Sequence, residues 1–573
     1  MKFAHLLCLL LLAGPAIAQP ASKASKSPAK PARNIIIFVA DGLRYGSVEP
    51  GNMPNMHKLK TQGVDFTNSH SLFPTITTVN ASAIATGHYI GDTGDFGNTL
   101  YTGTAMASGN GSTIAGLEND AVLAEMNQKF GGNYLNEETI IARARAQGFN
   151  TAVIGKLGPT RILDSTAAPE GSQTLILDDN TGHEGGFGLP AWFTSEMNAA
   201  LVTGGAPGVQ VPNIPQEVWL MKATTRIVLP HFAQGGKPFA LLFWSRDPDI
   251  SQHNTRDSRG ETAPGINGPS GLAGTRDADT MLGELLAALK AQGLDKTTDI
   301  FVTADHGFLT ISHESKTSPS AKDGQIAAGF LVSDLASALG LPQVNGNALG
   351  ADAGKPDVIV AGNGGADLIY LPESNAPKLV GDIVKFLTTQ DYVGAVFVND
   401  NLGKFPGALA MSDINLMGSA RTPTPSIYVS FRSFAGSCAN TLQCAVGVHD
   451  TLLGTGQGSH GSLSRAETRN FMAAIGPDFK TGFADPAPIS NADIAPTLAH
   501  VAGIELPAKG KLKGRVISEA LIGGGKVAAV KRTIQSAPAA NGARSILNFQ
   551  QVGEQRYFDA AGFAGKAVGL TQP

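Results

Sequence analysis

The chain has 573 residues, 42% hydrophobic and 16% charged, with 43 Lys and Arg against 47 Asp and Glu. A formal net charge of −4 offers no electrostatic basis for nucleic acid as an obligate partner. The length allows one large domain with insertions or two to three ordinary ones, and 69 glycines imply many loops and close backbone approaches.

The chain opens MKFAHLLCLLLLAGPAIAQP, with Lys2, an apolar core from Leu6 to Leu12, and Ala16-Ile17-Ala18 before Gln19. This reads as a secretory signal peptide over residues 1–18. The apolar run is too short to span a bilayer, and no other stretch approaches transmembrane length. The mature chain is therefore expected to be periplasmic or secreted, with no membrane-spanning segment. Residues 19–33 are Ala, Ser, Lys and Pro without apolar period, a flexible leader.

A catalytic α/β core is expected to begin at residue 34 and run to 308. Its first element, IIIFVA ahead of Asp41 and Gly42, is continuously apolar, the pattern of a strand buried on both faces in a parallel sheet. An Asp at the end of such a strand stands where open α/β sheets place ligands. Pro54 to Gln62 predicts a helix with Pro near its start. Ser71 to Asn98 then reads as a Thr-rich loop, a run of small residues from Ala81 to Ala85, and a Gly-rich loop. A hydroxyl at the start of a helix, followed by an amide side chain, suits covalent catalysis, although Thr and Gly clusters also make ordinary turns.

Further helices are expected over Asn136 to Gln147, ending at Gly148, and over Asp277 to Gln292, ending at Gly293. Strands are expected at Thr151 to Gly155, Phe239 to Ser245 and Asp299 to Ala304, the last leading into Asp305 and His306. Asn491 to Gly503 predicts another capped helix. Strands alternating with helices specify an α/β fold with a mostly parallel central sheet. Residues 160–236 read as loop-rich, and Asp257 to Thr275 shows no period. Short strands at Val358 to Val360, Leu368 to Leu371, Ala395 to Val398 and Ile427 to Phe431 suggest an inserted cap subdomain over 309–430. The core is expected to resume over 431–530, with a C-terminal extension over 531–573. Cys438 and Cys444, six apart, predict a small-loop disulfide in an oxidising compartment.

Asp41, Asp249, His253, Asp305, His306 and His460 all lie at or just after apolar strands or in Gly-rich loops. Singly, such an Asp is a turn cap and such a His a surface residue. Together, three Asp and three His form an inventory for two zinc-type ions, with Thr77 as a further oxygen ligand.

On these residues the chain resembles the alkaline phosphatase superfamily, in its type I phosphodiesterase/nucleotide pyrophosphatase branch. The resemblance is carried, in order, by IIIFVADGLR (35–44), the segment from Pro54 to Asn98, DPDISQH (247–253), FVTADHG (301–307), GSHG (458–461) and DIAPTLAHVAGI (493–504). It implies an alkaline-phosphatase-like core with helices on both faces of the sheet, and an exported hydrolase of phosphodiester bonds. It further implies two Zn2+ per chain, one held by Asp249, His253 and His460, the other by Asp41, Asp305, His306 and the Thr77 oxygen. Thr77 falls on the family's nucleophile, forming a phosphothreonine, with Thr75 and Thr78 as competitors. Asn98 falls on the family's donor to a phosphoryl oxygen.

Two departures bear on substrate. Thr78-Val79-Asn80 stands where the branch usually has an aromatic and Pro-Asn. Monoesterase relatives place a Lys and, two residues on, an Arg against the phosphate. Here Lys156 fits the first role but Gly158 occupies the second, with Arg161 a possible substitute. The alternatives are thus an alkaline phosphomonoesterase binding phosphate through Lys156 and, more remotely, a catalytically silent metal-binding protein.

Overall fold

The computed structural model describes residues 33–165, 173–373 and 376–572. The expected signal peptide and all of the leader except Arg33 lie outside the described residues.

An eight-stranded sheet carries the site. Asn34–Ala40 runs through its interior with all seven residues buried. It pairs in parallel with Thr298–Thr303 on one side and Phe239–Ser245 on the other. Asn150–Gly155 and Leu175–Leu177 continue the parallel order beyond Phe239–Ser245. On the opposite side Met472–Ile475 runs antiparallel to Thr298–Thr303, followed by Val64–Phe66 and Phe483–Asp485. The fold is therefore α/β with a mostly parallel central sheet.

Alternation along the central strand builds a core on each face. Ile35, Ile37 and Val39 pack in one cluster with Val79, Ile84, Ile494 and Leu498 from helices Thr77–Thr86 and Ile494–Ala502. Ile36, Phe38 and Ala40 pack in the other with Met56, Leu59, Met281 and Leu285 from Pro54–Gln62 and Pro269–Ala291. Each fully buried Ile or Phe contributes about 1.5–3 kcal/mol by leaving water.

Several boundaries differ from expectation, each for a local reason. The helix expected from Asp277 begins at Pro269. Its first turns carry Gly271 and Gly274, where an added Cβ would lie 2.2 Å from Ile266 O and 2.5 Å from Ser251 Cβ. These turns pack backbone-close on the short helical segments Asp249–His253 and Gly265–Asn267, so no apolar period marks them. The helix expected from Asn136 begins at Ile140, because the Thr139 side chain caps it by accepting from Ala142 N. Residues 160–236, expected as loops, include the helical segments Ala191–Glu196, Ile214–Ala223, Thr224–Val228 and Leu229–Gln234. Pro215 sits in the first turn of Ile214–Ala223, where a missing N–H is tolerated.

A second, seven-stranded sheet lies between residues 343 and 431 and includes all four short strands expected there. Phe330–Leu339 and Ala376–Leu387 cover it over a separate core that includes Leu331, Val380, Ile383 and Val396. The C-terminal residues form a three-stranded sheet, Val530–Gln535, Ile546–Val552 and Gln555–Gly562, tied to the core by a 2.9 Å contact between His70 Nε2 and Asp559 Oδ1. Cys438 and Cys444 form a disulfide across their short loop. Among the described residues, no helix is long and apolar enough to cross a membrane.

Candidate active site and metal centre

Four neighbouring parallel strands deliver the site from their C-terminal ends. Thr298–Thr303 leads to Asp305 and His306, Asn34–Ala40 to Asp41, Phe239–Ser245 to Asp249, and Asn150–Gly155 to Lys156. Register holds them side by side: Val39 pairs with Thr303 and with Trp244, and Trp244 with Gly155. His460 enters from a Gly-rich loop following Gly458–Ser459. Its position is fixed through Thr75, whose carbonyl accepts from His460 Nδ1 at 2.8 Å and whose hydroxyl accepts from Gly461 N.

Thr77 is the first residue of helix Thr77–Thr86 and is fully buried. Its Oγ1 lies 3.2 Å from His306 Nε2 and 3.5 Å from Lys156 Nζ. The neighbouring threonines are engaged elsewhere. Thr75 Oγ1 donates to Ser462 O, and Thr78 Oγ1 donates to Asp95. Asn98 Oδ1 accepts from Thr78 N at 3.0 Å, satisfying an amide at the helix start. This turns the Asn98 Nδ2 donor to the other side, where it meets Glu118 Oε2 at 3.3 Å.

The three histidines share one arrangement. His253 Nδ1 faces Gly458 O at 2.8 Å, His306 Nδ1 faces Gly307 O at 2.9 Å, and His460 Nδ1 faces Thr75 O. A carbonyl only accepts, so each Nδ1 carries the proton and turns Nε2 to the site. Burial favours the neutral ring, with an Nε2 lone pair, at His306 and His460, whereas at His253 burial is outweighed by the neighbouring Asp249, which raises it. Opposite them, Asp41 Oδ1, Asp249 Oδ1 and Asp305 Oδ2 are buried and accept no hydrogen bond. The second oxygen of Asp41 is held by Lys156 Nζ at 2.9 Å and Trp244 Nε1 at 2.8 Å. That of Asp305 is held by Gly42 N and His306 N, each at 2.9 Å.

Lone pairs thus face lone pairs. Two sets of ligand atoms lie within 4.8 Å of one another, Asp249 with His306 and His460, and Asp41 with Asp305 and His306. His253 joins the first through Asp249 Oδ1 at 3.2 Å. His306 stands between the two sets. Buried, unpaired carboxylate oxygens are costly unless a cation meets them, so this donor set fits metal ions. The electrostatics agree. Burial pushes the Asp41 carboxyl up to about 6 and, helped by Asp41, pushes Asp305 well above the carboxylate range. Burial also lowers His306 to about 3 and His460 well below an ordinary imidazole. At Asp249 burial is outweighed by His253, Lys156 and His460, which hold its carboxyl well below the usual range.

Residues 35–323 match the family model described as type I phosphodiesterase / nucleotide pyrophosphatase, just over half of the chain. The chain belongs to this family. It is accordingly a hydrolase acting on phosphate ester bonds, and its substrates are small-molecule phosphoesters. The structure of human ectonucleotide pyrophosphatase/phosphodiesterase 5 is similar, with a TM-score of 0.50 at 15% identity, covering 85% of this chain and 100% of that one. At that identity the likeness shows the fold alone.

Lys156 is buried, with its ammonium 2.9 Å from both Asp41 and Glu118 and 3.5 Å from Asp249. Arg161 does not join it. Its guanidinium lies over the Phe187 ring at 4.9 Å. Three residues in the site were not read from the sequence: Trp244, Arg246 and Glu118. Trp244 was hidden inside an apolar strand. Arg246 adjoins the Asp247-Pro248-Asp249 motif and pairs with Asp179. Glu118 follows a hairpin, in a stretch with no motif.

Proposed function

We propose that the protein is an exported two-zinc phosphodiesterase/nucleotide pyrophosphatase that works through a phosphothreonine at Thr77. The observation that carries this reading is the Thr77 hydroxyl at a helix start, beside His306 Nε2 and among carboxylate oxygens without hydrogen-bond partners. Asp249, His253 and His460 would hold one zinc, and Asp41, Asp305, His306 and Thr77 Oγ1 the other. Bound zinc supplies Lewis-acid charge that lowers the pKa of the threonine hydroxyl and stabilises the attacking and departing oxygens.

The chain's own residues do the rest. Thr77 Oγ1 bonds to phosphorus as the ester oxygen on the far side departs, and its proton leaves with the released alcohol. Water then attacks phosphorus, breaks the Oγ1–P bond and restores the hydroxyl. The sum is diester plus water giving monoester plus alcohol, with retention at phosphorus after two in-line steps. Asn98 Nδ2 and Lys156 Nζ hold the non-bridging oxygens, and the helix N-terminus adds positive field. The segment 309–430 acts as the cap on the leaving-group side. Its Asn363 accepts from Thr99 N at 3.0 Å, next to Asn98. The Cys438–Cys444 disulfide suits an oxidising, exported setting.

A second reading, a phosphomonoesterase using Lys156 for phosphate, is favoured by the burial of that lysine 3.5 Å from Thr77 Oγ1. Comparing kcat/KM for a bis(aryl) phosphate and an aryl monophosphate separates the two. Diester preference is expected; strong monoester preference transfers the assignment to the second reading. Thr77→Ala should lower turnover roughly 1,000-fold or more with metal retained. Unaltered background activity in that variant would instead favour a silent metal-binding protein.

A further inference from the structure

The hairpin Thr99–Met106 and Ser112–Gly116 pairs Thr99 with Gly116 at its base. Leu117 N donates to Asn98 O just beyond, so the hairpin brings Asn98 and Glu118 side by side. Glu118 is held from behind as well. Asn119 caps the next helix by accepting from Ala121 N and Val122 N. The Glu118 carboxylate therefore stands in a set place, meeting Lys156 Nζ at 2.9 Å through Oε1 and accepting from Asn98 Nδ2 at 3.3 Å through Oε2. These two donors are the ones assigned above to the non-bridging phosphoryl oxygens. The side chain remains 37% exposed, on the open side of the site.

Position 158 supplies no second cation; Arg246, paired with Asp179, is the further cation whose charge Glu118 also favours. Gly158 has φ +87°, and a Cβ there would come within 2.8 Å of Glu118 Cα. The backbone of Glu118 fills the space from which a side chain would grow. Lys156 is itself shared among Asp41, Glu118 and Asp249.

We propose that Glu118 is a specificity-determining residue, a fixed negative charge beside the nucleophile that favours singly charged phosphodiesters over doubly charged phosphomonoesters. The proposal rests on the roles given above to Thr77, Asn98 and Lys156. A monoester has a second pKa of about 6 and is a dianion in mildly alkaline solution, whereas a diester carries one charge. Both must share Asn98 and Lys156 with the Glu118 carboxylate. Repulsion rises with each substrate charge, and the site's partial seclusion from water strengthens it.

The test uses the metal-loaded full chain at pH 8, as wild type, Glu118→Gln, Glu118→Asp and Glu118→Ala, on a bis(aryl) phosphate and an aryl monophosphate. The monoester-to-diester ratio of kcat/KM should rise about tenfold in the Gln variant, which keeps the shape and loses the charge. It should stay near wild type in the Asp variant, which keeps the charge. Glu118→Ala serves as the neutral variant if the Gln protein does not fold. An unchanged ratio in the neutral variants overturns the proposal. If the wild type hydrolyses neither ester, the reading of the site fails, and Glu118 is judged by calorimetric titration with inorganic phosphate. The neutral variant should then bind about tenfold more tightly, and equal affinity overturns the charge filter.

Discussion

Among Thr75, Thr77 and Thr78, residue type alone leaves the nucleophile open, and hydrogen bonding separates them. Thr75 and Thr78 donate to Ser462 O and Asp95, while Thr77 faces the histidine and lysine. Asp95 supports this arrangement. It is fully buried and accepts from Thr78 Oγ1 at 2.8 Å and Tyr134 OH at 3.0 Å. Burial lifts its carboxyl to about 7. The folded state therefore holds this proton more tightly than the unfolded chain, where an Asp titrates near 3.9. The resulting stabilisation is fully present below about pH 4 and is lost as pH rises through about 7. Asp95→Asn removes it. The stability of wild type relative to the variant should fall by on the order of 3 kcal/mol between pH 4 and pH 8. A difference that stays constant in urea unfolding at the two pH values refutes this.

At the scale of elements, long apolar strands were legible and their neighbours less so. Phe239–Ser245 and Pro54–Gln62 form over the expected residues, because continuous burial and a proline at the helix start are local signals. The start of Pro269–Ala291 was not legible, because Gly274 answers to the helix Asp249–His253, brought against it by tertiary packing. Gly155 shows the same dependence at the edge of the site. It has φ +133° and ends the strand beside Trp244, and a Cβ would lie 2.0 Å from Trp244 O. Gly155→Ala should force these strand ends apart and displace Lys156. The expected cost is about 2 kcal/mol or more by urea denaturation. A loss of under about 0.5 kcal/mol would show that the strands yield freely.

Across the whole molecule, the candidate metal ligands come from positions 41 to 460 and meet because parallel strand ends converge and the loop carrying His460 folds against them. Their lone pairs repel one another without a cation, so bound metal should stabilise the entire fold. Mass spectrometry of the native protein should find two zinc ions per chain. Stripping them with a chelator should lower Tm by roughly 5 °C or more, restored by added zinc. Active protein without zinc, or an unmoved Tm after complete stripping, contradicts the assignment.

The amino-acid sequence by itself determined the α/β class, the family and the residue types able to hold metal. Those features are written locally, in apolar runs ending at an Asp or an Asp-His pair and in short motifs kept in order. Tertiary structure decided which hydroxyl faces the metal-binding groups, that His306 stands between both ligand sets, and that Glu118 reaches Asn98 and Lys156. Glu118 and Lys156 lie in separate loops, and the packing of the hairpin base against Gly158 brings their charges together. No spacing along the chain records such a contact, because long-range packing rather than local pattern creates it.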